Sequence, residues 1–344
     1  MSASPARHDP VVRLAPAKLN LTLAVIGRRA DGFHALHSVM VPLRLADRLS
    51  LSVAAGGSDT VHAEGFDPGP PAGNLVLRAI AAAREALAAS GTATPPLAVR
   101  LDKLIPVAAG LGGGSSDAAA ALDGALEAWG ADLEPDRRAA IAAWLGSDVP
   151  FFLAGGAALV EGRGERVTSL RGPIGEPVGV VLVTPSLTLA TRDVFALFAV
   201  GGPAAPPATS ATRLTSAHLA AELGTGLRSQ DLVARAGVLA VANDLAAAAA
   251  VAAPGLTTFR RALTRVLGRP VGLSGSGPTL WAVYPSADAA TGAAEVVRAA
   301  IADGRLPEIG TGVPFVTDTA IAGSPAPALA PAPADGSGED GRTG

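Results

Sequence analysis

The sequence predicts an α+β fold of two domains that meet at a cleft, and three features of the chain support this class. Its 344 residues are enough for two hydrophobic cores. Strand-like runs and Ala-rich helical segments follow one another without the regular alternation of a doubly wound parallel sheet. A Gly/Ser-rich loop adjoins regular structure in each half, at residues 106–118 and 272–278. We assign residues 1–165 to the first domain, 166–323 to the second and 324–344, rich in Ala and Pro, to a disordered tail.

The predicted first domain begins with strands and continues with helices. Runs of β-branched and aliphatic residues predict strands at residues 11–14, 19–25, 39–43, 48–54 and 97–101. Apolar residues at helical spacing predict helices at residues 74–89, 115–129 and 135–145. The segment Gly-Ser-Asp-Val-Pro that follows breaks the pattern, and residues 151–160 are interpreted as a turn and a strand.

The predicted second domain has the same mixture of elements. Strands are expected at residues 178–184 and 279–284, with a last strand ending at Phe315. Helices are expected around Leu219 and at residues 243–252, 257–267 and 287–303. Residues 201–212, rich in Pro, Ala and Thr, are predicted to form an exposed loop.

Composition excludes several classes of function. Hydrophobic residues make up 49% of the chain and charged residues 17%, as in a globular protein. The net charge of −3 argues against nucleic-acid and anionic-membrane partners. The absence of cysteine excludes disulfides, Cys-zinc sites, iron–sulfur clusters and thiol nucleophiles. No signal stretch or membrane-length apolar run is visible, so, with the absence of cysteine, we expect a cytoplasmic protein.

The first Gly/Ser-rich loop favours phosphate binding. Glycines can adopt positive φ and bring backbone amides close to a ligand, and the helix after them presents unpaired N–H groups. Such a turn at a helix N-terminus is an anion site, and Ser115 or Ser116 could reach a magnesium ion that bridges phosphates. No Gly-Lys-Ser/Thr follows, so this is not the common P-loop, and the loop supplies no lysine. A plain surface turn is the alternative.

Lysine is rare in this chain. Of its 27 basic residues only Lys18 and Lys103 are lysines, and the others are arginines. An ammonium and a guanidinium do different chemical work, so both lysines are candidates for function. Chance retention is the alternative for each.

Five segments, taken in order, resemble the GHMP kinase superfamily. They are residues 16–21 (PAKLNL), 29–34 (RADGFH), 106–116, 146–151 (GSDVPF) and 272–277. The glycine loop alone indicates the superfamily, whereas the first two segments resemble the branch whose acceptor carries a cytidine diphosphate. The resemblance implies a two-domain GHMP kinase fold with its active site in the inter-domain cleft. It also implies ATP-dependent phosphorylation of the tertiary 2-hydroxyl of a cytidine-diphosphate-linked methylerythritol, in the non-mevalonate route to isoprenoid precursors, with Mg²⁺ as a cofactor.

The resemblance places the catalytic pair at Lys18 and Asp148. A carboxylate that accepts the hydroxyl proton helps a poor tertiary nucleophile, and an ammonium can stabilise the transferring phosphoryl group. The alternatives are a turn-capping aspartate and a surface lysine on a strand. Asn20 lies two residues after Lys18 on the same strand face, where it resembles a residue that holds the acceptor.

The resemblance also implies two binding sets. The ATP set consists of Asn74, Lys103, Pro106, Val107, Ala108, Ala109, Gly110, Leu111, Gly112, Gly113, Gly114, Ser115 and Ser116. The acceptor set consists of Asn20, Phe33, His34, Thr191 and Phe195. Phe33 and Phe195 are expected to stack on the base, although Phe33 lacks the hydroxyl of the tyrosine common at its position. Helix capping by Asn74, a solvated Lys103 and a core role for Phe195 are the alternatives, and the sequence indicates no metal ligands beyond the serines.

Two other functions remain open at this point. A GHMP kinase for another alcohol, such as homoserine or a mevalonate-type acid, would need no residues that stack on a base. A nucleotide-binding regulator that has lost catalysis should lack the lysine–aspartate pair.

Overall fold

A computed structural model describes residues 9–201 and 210–323 of the chain. The first half contains seven strands and four helices. They are β1 (Val11–Asn20), β2 (Ala24–Arg28), β3 (His34–Val53), β4 (Thr60–Gly65), α1 (Leu75–Leu87), β5 (Leu97–Lys103), α2 (Gly113–Ala128), α3 (Pro135–Leu145), α4 (Val149–Ala154), β6 (Ala158–Gly162) and β7 (Arg166–Ser169). The predicted tail at 324–344 and most of the predicted loop at 201–212 lie outside the described residues.

The second half adds a smaller sheet and seven helices within the same ranges. They are β8 (Gly179–Thr184), α5 (Thr191–Gly201), α6 (Ala211–Thr225), α7 (Ser229–Ala234), α8 (Ala236–Leu239), α9 (Ala246–Ala252), α10 (Leu256–Leu267), β9 (Gly272–Leu273), β10 (Leu280–Tyr284), α11 (Ala287–Ala302) and β11 (Phe315–Ala320). The predicted α+β class is confirmed.

β3 organises the larger sheet. The strand order is β4-β5-β3-β6-β7, and β1 and β2 pair with the remaining edge of β3. β4 and β5 are parallel, and the other pairs are antiparallel. The two strands predicted at 39–43 and 48–54 are one strand of 20 residues. Pairing with β1 carries the extended backbone through the polar residues between them, which the apolar pattern alone did not reveal.

Other predicted boundaries also differ from the structure, and the last strand, predicted to end at Phe315, begins there instead. The strand predicted at 19–25 is divided, because β1 ends at Asn20 and β2 begins at Ala24. The turn predicted after residue 150 is the short helix α4, whose first turn accommodates Pro150 because the leading N–H groups of a helix need no partner.

Three large hydrophobic cores hold the layers together, beside a small cluster around Phe151 and Val160. One lies between the larger sheet and α1, α2 and α3, and another between the smaller sheet and α9, α10 and α11. The third joins the two sheets directly, with Leu19 and Val41 from one packed in the same cluster as Val180 and Trp281 from the other. The two halves therefore share buried surface, and the cleft forms where that contact ends.

The division into domains remains a prediction, but the sheets locate its boundary more closely. Strand β7 pairs with β6 in the larger sheet, so residue 165 lies inside a hairpin of the first half. Within residues 9–201 and 210–323, no helix is long and apolar enough to cross a membrane.

Candidate active site

A cleft of about 1040 Å³ opens between the glycine loop and the second half of the chain. Every residue of the predicted catalytic, ATP and acceptor sets lines it except Leu111 and Ser116, which lie buried just behind its wall. Residues that are scattered from position 18 to position 195 of the sequence therefore face one space.

The glycine loop between β5 and α2 has the backbone geometry of an anion site. Ala108, Gly110 and Gly112 have positive φ angles of 54°, 76° and 73°. The helix begins at Gly113, two residues before its predicted start, because Gly112 already turns the chain as the N-cap. No side chain within the described residues caps this end, so the first N–H groups of α2 face the cleft without a competing acceptor.

A second loop, which follows β9, packs against the first. Ser274 Oγ donates a hydrogen bond of 2.9 Å to the Gly110 carbonyl, and the Thr279 N–H donates one of 3.3 Å to the Ala109 carbonyl. A Cβ atom on Gly110 would lie 2.4 Å from the Ser274 carbonyl oxygen, so a side chain at this position requires the loops to separate. The close approach explains why residue 110 is glycine.

Lys18 lies at the base of the cleft, just after a register shift in β1. Its backbone N–H donates to the Leu111 carbonyl at 2.9 Å, which ties β1 to the glycine loop. Its Nζ donates to the Asn20 side-chain oxygen at 2.6 Å and to the Gly110 carbonyl at 2.8 Å. Burial lowers the pKa of Lys18 below its ordinary value, and the charge of Asp148 opposes this shift only in part. The surface-lysine alternative is wrong, because Lys18 is only 3% exposed.

Asp148 faces Lys18 across the cleft. One carboxylate oxygen, Oδ2, lies 3.8 Å from Lys18 Nζ. Although Asp148 occupies the N-cap position of α4, its side chain caps no helix N–H, so the turn-capping alternative is also wrong. Gly164 packs closely against the turn that contains Asp148, since a Cβ on Gly164 would lie 1.9 Å from the Ser147 carbonyl oxygen. The carboxylate is thus partly exposed to the cleft and available to a ligand.

Asn20 is held in one orientation by a buried chain of hydrogen bonds. Its Nδ2 donates to Ser38 Oγ at 2.9 Å, and Ser38 Oγ donates to the Thr22 carbonyl at 2.6 Å. The amide oxygen is thereby left to accept from Lys18. This arrangement fixes the Lys18 ammonium between the acceptor set and the glycine loop.

Lys103 has a different environment from Lys18. Its Nζ donates to Asp47 Oδ2 at 2.5 Å and to Asp117 Oδ2 at 2.8 Å, and the side chain is 2% exposed. Burial acts to lower the pKa of Lys103, but the two carboxylates raise it above its ordinary value. Burial also raises the pKa of Asp117, to about 7, against the opposing charge of Lys103. The solvated-lysine alternative is therefore wrong.

Asn74 takes the N-cap role that the sequence analysis held open. Its Oδ1 accepts from the Val76 N–H at 2.9 Å at the start of α1. The residue also lines the cleft, so a contact to adenosine stays a prediction alongside the cap.

The acceptor end of the cleft contains the aromatic residues. The His34 ring stacks on Phe195, with centroids 5.1 Å apart and planes inclined by 23°. Phe33 instead lies under the Arg163 guanidinium, at 4.9 Å from the ring centroid, and is 49% exposed. Burial and Arg28 lower the pKa of His34, which favours the neutral imidazole, a ring with one donor and one acceptor nitrogen. Thr191 shares a hydrogen bond of 3.0 Å with Ser276.

Four residues that shape this site were not predicted from the sequence. Asp47 and Ser38 come from β3, and they reach Lys103 and Asn20 only through strand pairing. Asn243 donates to the carbonyls of Leu273 and Gly275 at 3.0 and 2.9 Å and so shapes the second loop. Arg163 covers Phe33. No local motif marks any of them, although Asp47 sits among apolar strand residues, where an unpaired carboxylate would be costly.

Comparisons with known proteins agree with the geometry. Residues 74–156 match the family model described as the GHMP kinases N terminal domain. A protein of Sinorhizobium medicae named 4-diphosphocytidyl-2-C-methyl-D-erythritol kinase is 37% identical over 291 residues, which cover 83% of this chain and 90% of that protein. A protein of Pelotomaculum thermopropionicum with the same name is 46% identical over 191 residues, 56% of this chain and 64% of that protein.

A solved structure gives the same result. The crystal structure of a 4-(cytidine 5'-diphospho)-2C-methyl-D-erythritol kinase is similar over 90% of this chain and 99% of that one. The TM-score is 0.62 and the sequence identity is 32%. The similarity therefore extends over both sheets and not only over the glycine loop.

Proposed function

Because this chain belongs to the 4-diphosphocytidyl-2-C-methyl-D-erythritol kinase family of GHMP kinases, we propose that it catalyses the reaction for which that family is named. It transfers the γ-phosphoryl group of ATP to the 2-hydroxyl of 4-diphosphocytidyl-2-C-methyl-D-erythritol. The product is the 2-phosphate, an intermediate of the non-mevalonate route to isoprenoid precursors. The observation that carries this proposal is the pairing of Lys18 with Asp148 at 3.8 Å, directly beside the glycine loop.

Asp148 and Lys18 divide the chemistry of the transfer. Asp148 accepts the proton of the 2-hydroxyl as the oxygen attacks the γ-phosphorus, and its partly exposed carboxylate is free of helix capping for this role. Lys18 stabilises negative charge on the attacking oxygen and on the phosphoryl oxygens. Its hydrogen bonds to Asn20 and to the Gly110 carbonyl hold the ammonium where acceptor and nucleotide meet.

The nucleotide binds along the glycine loop. Backbone N–H groups of the loop and of the first turn of α2 receive the phosphates, and the helix dipole favours their charge. The adenosine extends toward Asn74 and Val107, which line that part of the cleft. The alignment of phosphates and acceptor supplies much of the rate enhancement in such transfers.

The residues present fit a magnesium ion that is held mainly by ATP. Among the described residues no group of three or more His, Cys, Asp or Glu side chains forms a metal site, so no all-protein cage is present. Ser116 Oγ is buried without a hydrogen-bond partner, and Ser115 lines the cleft one residue before it. The Ser115 hydroxyl would hold the ion together with phosphate oxygens, the ligands that Mg²⁺ prefers. The ion would neutralise phosphate charge.

The cytidine moiety of the acceptor binds at the aromatic end of the cleft. Cytosine recognition needs a stacking face and hydrogen bonds to the base edge, which Phe33, Phe195 and a neutral His34 can provide. Because His34 covers one face of Phe195, the base enters against Phe33 or displaces the His34 ring. Thr191 lines the same wall.

An acceptor comparison tests the function directly. Purified protein with MgATP is assayed for ADP release with 4-diphosphocytidyl-2-C-methyl-D-erythritol, with homoserine and with mevalonate. We expect turnover with the first acceptor alone, because the other two carry no base for the aromatic wall. Comparable turnover with homoserine or mevalonate would reject the acceptor assignment.

The role of Asp148 is tested with Asp148→Asn, which keeps the size of the side chain and removes the base. We expect it to bind ATP as the wild type does and to lose about two or more orders of magnitude in turnover, within the range a positioned base supplies. A wild-type rate in this variant would remove Asp148 from the mechanism.

A further inference from the structure

Asp47 lies under the glycine loop, and its side chain is fully buried. One oxygen, Oδ1, accepts hydrogen bonds from the N–H groups of Leu104 and Ile105 at 2.6 and 2.8 Å. These two residues connect β5 to the glycine loop. Asp47 therefore holds the entry to the loop by direct contact with its backbone.

The other oxygen of Asp47 leads to the exit of the loop. Oδ2 accepts from Lys103 Nζ at 2.5 Å, and the same ammonium donates to Asp117 Oδ2 at 2.8 Å. Asp117 belongs to the first turns of α2, where the loop ends. The path from Asp47 through Lys103 to Asp117 thus connects the two ends of the phosphate-binding segment beneath the cleft.

We propose that Asp47, Lys103 and Asp117 form a buried clamp that sets the spacing of the two ends of the glycine loop, with Asp47 as its central positioning residue. In this arrangement Lys103 acts on ATP through the loop and not as a direct phosphate ligand, because two of the three N–H donors of its ammonium are bonded to carboxylates, which also offset its positive charge. The proposal rests on the proposed function, in which this loop receives the phosphates of ATP.

Three features support a clamp over an ordinary buried ion pair. Each partner comes from a different element, β3, β5 or α2, so the cluster fixes their relative positions. The space above it is tight, because a Cβ on Gly113 would lie 3.2 Å from Lys103 Nζ and 3.0 Å from Ile105 Cγ2. Buried charges are costly unless they are paired with good geometry, so a displaced partner would disturb the whole cluster.

Asp47→Asn distinguishes the two sets of hydrogen bonds that Asp47 accepts, those from the loop backbone and that from Lys103. The asparagine oxygen can still accept from Leu104 and Ile105, but its NH₂ group faces the Lys103 ammonium, and two donors cannot bond to each other. The control is Arg100→Met in β5, the strand of Lys103, which breaks exposed ion pairs with Glu64 of β4 and Asp102 of β5. Binding of the non-hydrolysable analogue adenylyl imidodiphosphate, with Mg²⁺, is measured by calorimetry alongside binding of the cytidyl acceptor.

We expect Asp47→Asn to weaken binding of the ATP analogue about tenfold or more, within what a displacement of about 1 Å at a binding site can cost. The acceptor should bind as tightly as to the wild type, and Arg100→Met should bind both ligands normally. The direction of the change in affinity for the ATP analogue is informative, because loss of the negative charge of Asp47 would by itself strengthen binding of a polyanion. Weaker binding therefore reports the loop geometry.

Several results would overturn the clamp. A folded Asp47→Asn that is less stable yet binds the analogue as the wild type does would leave Asp47 with a structural role only. An equal loss in Arg100→Met would show that the effect is not specific to the cluster. If the wild type itself does not bind the analogue, the proposed function fails, and the clamp with it.

Hydrogen exchange of the wild type provides a test that does not depend on the folding of a variant. The clamp couples both ends of the loop, so the amides of Leu104, Ile105 and Ser116 should open with one shared free energy. The analogue should raise the protection of all three. Widely different opening free energies at the two ends would contradict the clamp.

Discussion

Two buried lysines in this protein have opposite electrostatic environments. Lys18 is hydrogen-bonded to a carbonyl and an amide, with a single carboxylate 3.8 Å away, so burial lowers its pKa. Lys103 is bonded to two carboxylates, which raise its pKa despite burial. A lowered pKa, as at Lys18, is common in groups that take part in a reaction. A raised pKa, as at Lys103, keeps the ammonium charged and suits a structural ion pair.

The pH dependence of activity should reflect the environment of Lys18. In the proposed mechanism the protonated form of Lys18 stabilises the phosphoryl group, and its lowered pKa means that this form is lost at a lower pH than for an ordinary lysine. We therefore expect the alkaline limb of the kcat profile to lie below pH 10.5, the ordinary value for lysine. Asp148→Asn removes the charge that partly restores the Lys18 pKa, so it should shift the titration further down.

NMR of protein labelled at lysine can follow this titration directly, because the chain contains only two lysines and gives two side-chain signals. The signal of Lys103, held by its two carboxylates, serves as the internal reference. An Asp148→Asn variant in which Lys18 titrates at a higher pH than in the wild type would contradict the assigned pairing.

At the scale of single elements, the two loops and β1 form one unit. The glycine loop accepts hydrogen bonds from Lys18 of β1 and from Ser274 of the second loop, all near Gly110. Gly110 combines a positive φ with a carbonyl oxygen 2.4 Å from where its Cβ would be. Its replacement therefore has two separable costs, strain within the backbone and a collision with the second loop.

Gly110→Ala should weaken ATP binding and lower the free energy of unfolding. Gly91→Ala is the matched control, because Gly91 has a similar φ of 70° but no atom within 4 Å of its Cβ position. The control measures the strain alone, about 1–2 kcal/mol for a left-handed conformation. We expect a larger loss of stability in Gly110→Ala, with loss of ATP affinity in that variant only, measured by urea unfolding and calorimetry. Equal effects would show that the loops separate without cost.

The elements that a local pattern encodes were predictable, and those that depend on register were not. The glycines and the apolar face of α2 are contiguous in sequence, so together they are sufficient to indicate an anion site. The bond between Asp47 and Lys103 joins residues 56 positions apart, and the pairing of β3 with β5 determines it. The rarity of lysine marked Lys18 as a candidate, but Asp148 and its pairing with Lys18 came from the family resemblance, because β1 and the turn before α4 share no local signal.

At the scale of the whole molecule, the two sheets are joined by a common core. Leu19, Val41, Val180 and Trp281 pack in one cluster, so neither half buries its inner face alone. This shared core joins the two halves that bound the cleft. We therefore expect the predicted division near residue 165 to be one of chain topology and not of independent stability.

The shared core predicts cooperative unfolding. Trp129 and Trp144 report on the first half and Trp281 on the second. Fluorescence of Trp281→Phe and of a Trp129→Phe/Trp144→Phe variant should give coincident urea transitions, once each is corrected for the stability change of its own substitution. Two clearly separated transitions would show that the halves unfold independently and would support two autonomous domains.

Every ε-amino group of this chain is buried, at 3% exposure for both Lys18 and Lys103. Amine-reactive esters therefore find no lysine on the surface of the native protein. We expect acylation of either lysine to require a transient opening of the cleft floor, and modification at Lys18 or Lys103 would remove the hydrogen bonds of its ammonium group. The rate of covalent labelling should therefore measure how often the cleft floor opens. Labelling of Lys18 would report opening near Gly110, and labelling of Lys103 would report opening near Asp47 and Asp117.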